Sequence, residues 1–371
     1  MFLPVVKPIV RIVLQILSLI LFALTILAAY GGRVDPDIFT LPAILTLILP
    51  ALAILTVVAS IMWFTSGHIF MGALGVVALL CSWSPISTVS PFGSSEKATP
   101  GAQTFTVMSW NIKHAQDQEL KDPKDPTAGN RTIDYILHSG ADIVCVQELD
   151  AVNAKEIHNL TPALKDSLKQ VYPYWGSNPV DDQKVFSKYP LKHIPSERYL
   201  HDWYDGRRYS FYDVKIGDRH LTLINMHMTS FALDSTQQRV ITEMKSVGGA
   251  KKSIKEMKGG IYQKLKHAFK VRKKDTEVLL EGLKEIDGPL VICGDMNDVP
   301  ESYVYRMLRG ADLKDAYVET GFGPLVTFNQ HMFWFHLDQV FYRGPLKALS
   351  VKKGKIKSSD HYPLTAEFEF E

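Results

Sequence analysis

The stretch that decides the fold is Leu290-Val291-Ile292-Cys293-Gly294-Asp295-Met296-Asn297-Asp298-Val299-Pro300, an apolar run that ends in acidic and amide side chains. The apolar part predicts a buried strand. Asp295 and Asn297 are two residues apart and project to one side of an extended chain, while Gly294 permits close backbone approach. A plain turn is the simpler explanation, because Asp and Asn are common in turns. The alternative is a strand that carries a carboxylate and an amide into a functional site.

Four further segments place polar residues after apolar runs in the same way. They are Trp110-Asn111, Gln147-Glu148, Asn225-Met226-His227 and Ser359-Asp360-His361. The C-terminal ends of strands are where α/β folds commonly build active sites. Taken together, the segments predict one site assembled from the ends of several strands.

These side chains suit the hydrolysis of a phosphoester. A carboxylate such as Asp295 can align and deprotonate a water, and the amide of Asn297 can donate to a phosphate oxygen. Glu148 would be awkward to bury without a partner, which a hard divalent cation would provide. Asp360 can serve such a metal, and His361 can donate a proton or stabilise developing charge. Taken singly, none of these pairs distinguishes a catalytic site from an ordinary strand end.

The chain from Thr104 onward alternates short β-rich runs with helical or irregular stretches. This alternation predicts an α/β domain. Strands are predicted at 105–110, 142–147, 220–225, 289–293, 337–342 and 364–370, with a crossover helix over 131–139.

The first hundred residues have the composition of a membrane anchor. Apolar runs extend over Ile9–Tyr30, Phe39–Phe64 and, less clearly, His68–Pro85. At about 1.5 Å per residue the first run is long enough for a hydrocarbon core of roughly 30 Å. A signal peptide is the alternative for this run, but a second apolar run begins about eight residues later, where a polar mature sequence would be expected. We therefore predict about three transmembrane helices within residues 1–86.

Residues 87–103 are rich in Ser, Pro and Gly, which predicts a flexible linker, and residues 104–371 form the predicted catalytic domain. Lys7 precedes the first apolar run and Arg11 lies near its start, so the positive-inside tendency places the N-terminus in the cytoplasm. Three crossings would then place the catalytic domain on the extracytoplasmic side of a multi-pass integral membrane protein.

The formal net charge of +2 does not indicate a partner, but the basic residues are clustered over Lys251–Lys274. Ile254, Met257, Ile261, Leu265 and Phe269 recur there at helical spacing, which predicts an apolar stripe flanked by cations. The stripe is explained equally by packing on the domain and by contact with anionic headgroups or a nucleic-acid backbone. The cysteines Cys81, Cys145 and Cys293 lack zinc or disulfide spacing and are predicted to be small core residues.

The order of the five polar segments resembles the endonuclease/exonuclease/phosphatase superfamily, whose fold is shared with deoxyribonuclease I and neutral sphingomyelinases. The resemblance covers Thr104 to Phe370 and is of a membrane-anchored, bacterial type. Its most specific pieces are Gly294–Pro300 and Ser359–Leu364, supported by Ser187–Leu191 and His336–Phe341. It implies a four-layer α/β sandwich, in which two packed mixed β-sheets are flanked by helices.

The resemblance also implies a metal side of the site. Glu148 matches the direct ligand of Mg²⁺ or Mn²⁺, and Asn111 lies beside it. Asp360 matches an acid that assists the metal or the neighbouring imidazole.

On the acid–base side, Asp295 resembles the residue that orients or deprotonates the attacking water, and Asn297 resembles a donor to a phosphate oxygen. His361 matches the essential histidine of the family, and Asp338 matches the carboxylate that orients it. His227 matches a second histidine, which contacts the phosphate or helps the leaving group.

The sequence thus predicts a membrane-anchored, Mg²⁺- or Mn²⁺-dependent hydrolase of phosphodiester or phosphomonoester bonds. Its predicted partners are the lipid bilayer, through the N-terminal helices, and a phosphoester substrate, with a phospholipid or its headgroup favoured by the anchor. An extracytoplasmic DNA or RNA nuclease is the first alternative. A non-catalytic binding protein on the same fold is the second, and the complete set of polar residues argues against it.

Overall fold

The computed structural model describes residues 8–115, 130–149, 161–177, 182–199, 208–231, 260–330 and 333–371. It divides into two compact units, residues 1–91 with 298–307, and residues 92–297 with 308–371. The first unit contains the predicted anchor, and the second contains the predicted site residues.

The N-terminal unit begins with the helix α1 (Pro8–Ala29), which is long and apolar enough to cross a membrane. Two bent helix pairs follow. They are α2 (Leu41–Leu47) with α3 (Leu49–Thr65), bent by 69°, and α4 (Ile69–Cys81) with α5 (Trp83–Val89), bent by 64°. The described part of the chain therefore has one span by length and composition, or up to three if each bent pair is one span.

The sequence predicted uninterrupted spans, whereas the structure has a bend in each helix pair, and proline explains both bends. Pro50 lies in the first turn of α3, where its missing N–H costs no hydrogen bond, but its ring prevents α2 from continuing through it. Pro85 stands at the third position of α5 and acts in the same way on the end of α4. Each break therefore falls a few residues before a proline that the sequence already contained.

The interior of the N-terminal unit includes polar contacts among its apolar residues, and its surface is apolar. Trp63 donates from Nε1 to Ser18 Oγ at 2.8 Å, and the hydroxyls of Thr25 and Thr56 are 2.7 Å apart. These four side chains are buried, whereas large apolar side chains point outward. The most exposed are Ile9, Ile38, Ile69 and Phe70, at 70–83% of their surface.

The second unit contains two six-stranded sheets, and we number the strands along the chain. Sheet one has the order β13-β14-β1-β2-β4-β3, and sheet two has the order β5-β6-β7-β8-β12-β9, while β10 and β11 form a separate hairpin. The strands are β1 Thr104–Asn111, β2 Ile143–Gln147, β3 Tyr174–Ser177, β4 Lys184–Ser187, β5 Leu191–Ile194, β6 Tyr209–Ile216, β7 Arg219–His227, β8 Leu290–Asp295, β9 Lys314–Asp315, β10 Phe328–Gln330, β11 Phe333–Phe335, β12 Asp338–Arg343, β13 Leu346–Lys353 and β14 Leu364–Phe370.

Both sheets are mixed, because β1–β2 and β7–β8 pair in parallel while the other pairs are antiparallel. The helices of this unit are α6 (Arg131–His138), α7 (Pro162–Val171), α8 (Tyr262–Leu283) and α10 (Ala316–Thr320), while α9 (Tyr303–Arg309) belongs mostly to the first unit. α6 and α7 cover the outer face of sheet one, burying Ile133 and Leu168 there. The predicted α/β sandwich of two mixed sheets flanked by helices is confirmed.

The inner faces of the two sheets form one apolar core that becomes polar at one end. Val107, Cys145, Leu223, Cys293 and Val340 lie together in this core. Successive residues of a strand alternate between faces, so the next inner-facing positions lie two residues away. These positions hold Ser109, Gln147, Asn225, Asp295 and Asp338. The predicted site therefore begins where the core ends.

Cys145 and Cys293 are buried as predicted, whereas Cys81 is exposed on α4. Its helix turns other large apolar residues outward as well, including Leu80. An apolar run alone does not reveal which of its faces is covered.

The second half of the predicted linker is bound to the catalytic domain. Glu96 donates its N–H to Leu349 O at 2.7 Å, and Thr99 donates its N–H and its hydroxyl to the carboxylate of Glu369 at 2.7 and 3.0 Å. The prediction of a flexible linker over 87–103 rested on its content of Ser, Pro and Gly. Composition alone cannot predict such long-range contacts. The tethered length after α5 is correspondingly shorter than predicted.

Candidate active site

The register of sheet two places three predicted site residues in one row. Asp338 on β12 and His227 on β7 are each the Cα partner of Asp295 on the intervening strand β8. Gly294 precedes this row with φ at +147°, and a Cβ there would lie 1.8 Å from the carbonyl oxygen of Met226. Only glycine lets the parallel strands β7 and β8 approach this closely.

Asp338, His361 and Asp295 form a buried chain of polar contacts. His361 Nδ1 lies 2.8 Å from Asp338 Oδ2, and His361 Nε2 lies 3.6 Å from Asp295 Oδ2. Asp295 Oδ1 accepts from the N–H of Asn297 at 2.8 Å, which fixes its carboxylate. An imidazole held between two carboxylates is well placed to carry a proton or a positive charge.

The two buried carboxylates set the charge of this imidazole. Burial alone would lower the pKa of His361, but the charges of Asp338 and Asp295 outweigh burial and raise that pKa to about 10. Burial raises the pKa of Asp295 to about 6, with the charge of Asp338 adding to the effect and that of His361 opposing it. At neutral pH the imidazole of His361 is therefore cationic, and it lies beside the carboxylate of Asp295, which can accept a proton.

His227 belongs to a second imidazole–carboxylate pair. Its Nδ1 lies 3.0 Å from Asp182 Oδ2, and its Nε2 lies 3.9 Å from Glu148 Oε1. Burial would lower the pKa of His227, but the hydrogen bond and charge of Asp182 outweigh burial and raise that pKa. His227 is therefore a second candidate proton donor, oriented by a carboxylate.

Asn111 connects the two groups of residues. Its Nδ2 donates to Glu148 Oε1 at 2.9 Å and to Asp295 Oδ2 at 3.1 Å, while its Oδ1 accepts from the N–H of Lys113 at 3.1 Å. The amide of Asn111 thus orients the two carboxylates in this arrangement. Asn297, the other predicted amide, donates from Nδ2 to Met228 O at 2.8 Å and keeps a second N–H for another acceptor.

Asp360 is paired with a cation that the sequence did not single out. Its Oδ2 lies 2.7 Å from Lys113 Nζ, and its Oδ1 lies 3.3 Å from Ser359 Oγ. Ser359 Oγ donates to Asn111 O at 2.8 Å, so the segment 359–361 is tied directly to the end of β1.

The backbone around the site is strained at several non-glycine residues. Glu148 and Asn297 have φ values of +54° and +52°, and Lys113, His114 and Ala115 have φ values of +46°, +59° and +52°. Such conformations cost on the order of 1–3 kcal/mol each and persist where surrounding structure enforces them. These residues are concentrated at the ends of β1, β2 and β8. The surrounding structure therefore holds their side chains in place at the cost of an unfavourable backbone conformation.

The described residues fit a hard divalent cation. Five carboxylates surround the site, contributed by Glu148, Asp182, Asp295, Asp338 and Asp360. Donor atoms of Asp295, Asp338 and His361 lie within 4.8 Å of one another, which is close enough to share an ion. A protonated imidazole has no lone pair for a metal, however, so we favour Glu148, whose carboxylate is 31% exposed and oriented by Asn111.

The structure brings all eight predicted site residues into one region. They are Asn111, Glu148, His227, Asp295, Asn297, Asp338, Asp360 and His361. Sequence reasoning missed Asp182 and Lys113. Asp182 lies in no strand, and Lys113 lies in a short turn two residues after Asn111, the polar residue at which the strand-end pattern stopped.

The sequence model of the Endonuclease/Exonuclease/phosphatase family matches residues 108–361. Three solved structures that match are ANGEL2, a 2′,3′-cyclic phosphatase, in complex with adenosine-2′,3′-vanadate, the human Nocturnin catalytic domain with bound sulfate anion, and an endonuclease/exonuclease/phosphatase from Beutenbergia cavernae. Their sequence identities are 16%, 18% and 17%, and their TM-scores are 0.47, 0.45 and 0.44. The alignments cover 73%, 73% and 72% of this chain and 96%, 96% and 72% of those chains. No curated protein matches the chain.

Proposed function

Because the chain belongs to the endonuclease/exonuclease/phosphatase family of phosphoester hydrolases, we propose that it is a membrane-anchored phosphoesterase that uses Mg²⁺ or Mn²⁺ to cleave phospholipids or their headgroups. The observation that carries the catalytic part is the buried chain of Asp338, His361 and Asp295 beside the partly exposed carboxylate of Glu148. This arrangement combines a proton acceptor, a fixed cation and a ligand for a metal.

Each group has a role in the hydrolysis. Asp295 accepts a proton from the attacking water, and His361 stabilises the negative charge that develops on the phosphoryl oxygens. The free N–H of Asn297 donates to one of these oxygens, and His227, oriented by Asp182, gives a proton to the departing oxygen. A divalent cation held by Glu148 beside Asn111 supplies charge neutralisation when bound.

The composition of the N-terminal unit supports the membrane anchor. Two polar contacts, Thr25 with Thr56 and Trp63 with Ser18, lie inside the unit, while many large apolar residues lie on its surface. This distribution is unfavourable in water and usual for helices packed in lipid. Small residues also permit the close packing, since a Cβ at Gly75 would lie 2.0 Å from Ser60 Oγ. We infer a multi-pass anchor in which α1 and both bent pairs lie in the bilayer.

An odd number of crossings supports an extracytoplasmic catalytic domain. Lys7 and Arg11 precede the apolar part of α1 and favour a cytoplasmic N-terminus. One crossing and three crossings both carry residue 92 to the opposite side, whereas two would return it. Labelling of single cysteines introduced at Ser95 and at Lys7, with a membrane-impermeant maleimide in intact cells, tests this sidedness.

The basic segment gives less support to a lipid substrate than the anchor does. In the described half of Lys251–Lys274, Ile261 and Phe269 are buried, so the apolar stripe packs on the domain there and is not available to enter a bilayer. The part before residue 260 lies outside the described residues. The cations of this segment remain equally suited to a nucleic-acid backbone, which keeps a nuclease as the second candidate.

The full-length protein in detergent, supplied with Mg²⁺ or Mn²⁺, distinguishes these substrates. We expect headgroup or phosphate release from phospholipid vesicles, abolished by EDTA and by Glu148→Gln. Glu281→Gln, which changes an exposed carboxylate on α8 paired with Lys284, is the matched control and should behave as wild type. Failure to cleave any phospholipid, together with DNA or RNA cleavage that falls steeply with salt, would replace the lipid substrate with nucleic acid.

A further inference from the structure

Lys113 is a cation at the site with no assigned role. Its ammonium lies 2.7 Å from Asp360 Oδ2, and the side chain is 29% exposed against 12% for its partner. An ammonium has three N–H donors, and among the described residues only Asp360 accepts from this one. Among the described residues, the other two donors are therefore left for a ligand.

The position of Lys113 is fixed by an unusual turn. Lys113 is the first of three consecutive residues in the left-handed region, directly after β1. The N–H of His114 donates to Glu148 O at 2.7 Å, and Asn130 Nδ2 donates to Ala115 O at 2.9 Å. The turn thus ties the base of the Lys113 side chain to the same backbone that presents Glu148.

This strain is not explained by the ion pair itself. Ion pairs with partial solvent exposure stabilise proteins little, because solvent screens them and the long side chain loses entropy. Three left-handed non-glycine residues in succession are costly by comparison. A backbone conformation kept at such a cost beside an active site points to function rather than stability.

The ion pair with Lys113 also makes Asp360 less able to bind a metal. The ammonium occupies Oδ2, while Oδ1 lies 3.3 Å from the hydroxyl of Ser359, whose proton is directed to Asn111 O at 2.8 Å. A carboxylate that already holds a cation in this way is a poor ligand for a metal. Glu148, by contrast, is contacted by the neutral amide of Asn111 and by His227 Nε2 at 3.9 Å.

We propose that Lys113 is a substrate-binding residue whose ammonium, held by Asp360, takes the place of a second metal ion, so that the protein binds one divalent cation, at Glu148. The inference rests on the phosphoesterase function proposed above. The ammonium supplies a second positive charge to the phosphate oxygens, as lysine does at other phosphate sites.

Metal stoichiometry tests this without reference to activity. Electron paramagnetic resonance of the full-length protein titrated with Mn²⁺ should give one bound ion per chain. Lys113→Met frees Asp360 and should give two. Lys188→Met is the matched control, because Lys188 pairs with Asp142 at 3.1 Å with similar exposure, 35% against 24%, away from the site. It should bind one ion.

Kinetics test the contact with substrate. For bis(4-nitrophenyl) phosphate, Lys113→Met should raise KM by roughly 10- to 100-fold, the range expected for losing a charged hydrogen bond. Lys113→Arg should recover part of the loss, and Lys188→Met should match wild type. Thermal unfolding of each variant identifies any that fail to fold. If Lys113→Met fails to fold, the KM of Lys113→Arg, which keeps the charge, is compared with that of the wild type instead.

Two results would overturn the proposal. The first is two Mn²⁺ ions bound to the wild-type chain, and the second is a Lys113→Met variant with wild-type stoichiometry and KM. If the wild-type protein hydrolyses no phosphoester, the proposed function fails, and the Mn²⁺ counts for wild type and Lys113→Met still decide whether Lys113 replaces a metal.

Discussion

Asp338 controls the protonation of both residues that it faces. Burial lowers the pKa of His361, but the charges of Asp338 and Asp295 outweigh burial and raise that pKa to about 10. Burial raises the pKa of Asp295 to about 6, and the charge of Asp338 adds to this effect. His361 acts as a cation, which exists below its pKa, and Asp295 acts as a base, which exists above its pKa. The rate of hydrolysis should therefore fall on the acid side as Asp295 becomes protonated, and on the alkaline side as His361 loses its proton.

Replacing Asp338 by Asn should move both limbs of the pH profile in the same direction. Without this negative charge both pKa values fall, so the acid and alkaline limbs of log(kcat/KM) should shift to lower pH by about 1 unit or more. The measurement is kcat/KM against pH at one fixed Mn²⁺ concentration.

The control for this prediction is Asp213→Asn, which removes the carboxylate of an exposed Asp–His pair with His220, 2.8 Å apart, on the far part of sheet two. It should leave both limbs in place. Unchanged limbs in Asp338→Asn would show that Asp338 does not set the charge of the site.

At this scale the sequence located most of the site but not all of it. Residues that follow an apolar strand, such as Asp295 and Glu148, can be found from the pattern, because strand ends meet at one edge of a sandwich. Asp182 and Lys113 reach the site from a loop and a strained turn. Their positions depend on tertiary contacts and left-handed backbone that no local pattern encodes.

The strands β7 and β8 are the elements on which the site depends most. Their parallel pairing brings His227 opposite Asp295, and it requires Gly294 because a Cβ there would meet the backbone of Met226. The glycine therefore serves the geometry of the site and the stability of the sheet together.

Gly294→Ala should destabilise the catalytic domain by about 3–5 kcal/mol, because it adds a backbone clash to an unfavourable φ. Gly288→Ala is the control: its φ is +84°, but a Cβ there meets nothing within 4 Å. It should cost only about 1–2 kcal/mol. Chemical denaturation followed by tryptophan fluorescence measures both, and equal losses would contradict the close approach of β7 and β8.

Most of the long strands could be predicted from the sequence, and the short ones could not. The six predicted strands correspond to β1, β2, β7, β8, β12 and β14, and the predicted crossover helix corresponds to α6. Among the missed strands, β3, β4, β5, β9, β10 and β11 have four residues or fewer, which is too short for a pattern of alternation to emerge. The sequence analysis also missed β6 and β13, which have eight residues each.

At the scale of the whole molecule, the proposed anchor would determine where the enzyme works. The apolar runs predicted an anchor, and the described part of the chain has one helix long and apolar enough to cross a membrane, or up to three spans if each bent pair is one span. Composition could predict this apolar character, since it depends on residue type. It could not predict the bends or the docking of residues 92–103 on the domain, which depend on packing.

If this anchor is integral, the full-length protein should stay with membranes at alkaline pH. Carbonate extraction at about pH 11 removes electrostatic attachment but not helices that cross the bilayer. We expect the protein in the pellet, detected by immunoblot, with a peripheral protein released as control. Release into the supernatant would show that α1 and the bent pairs do not span the membrane.

The central claim is that one metal-dependent centre, built by Glu148 and His361 with their neighbours, hydrolyses a phosphoester. Its most direct test is the initial rate of bis(4-nitrophenyl) phosphate hydrolysis by the full-length protein with Mn²⁺, compared for wild type, Glu148→Gln and His361→Ala. Each substitution should lower kcat by roughly 10²–10⁴-fold, because each removes a group that acts in the transition state. Wild-type turnover in both variants would contradict the claim.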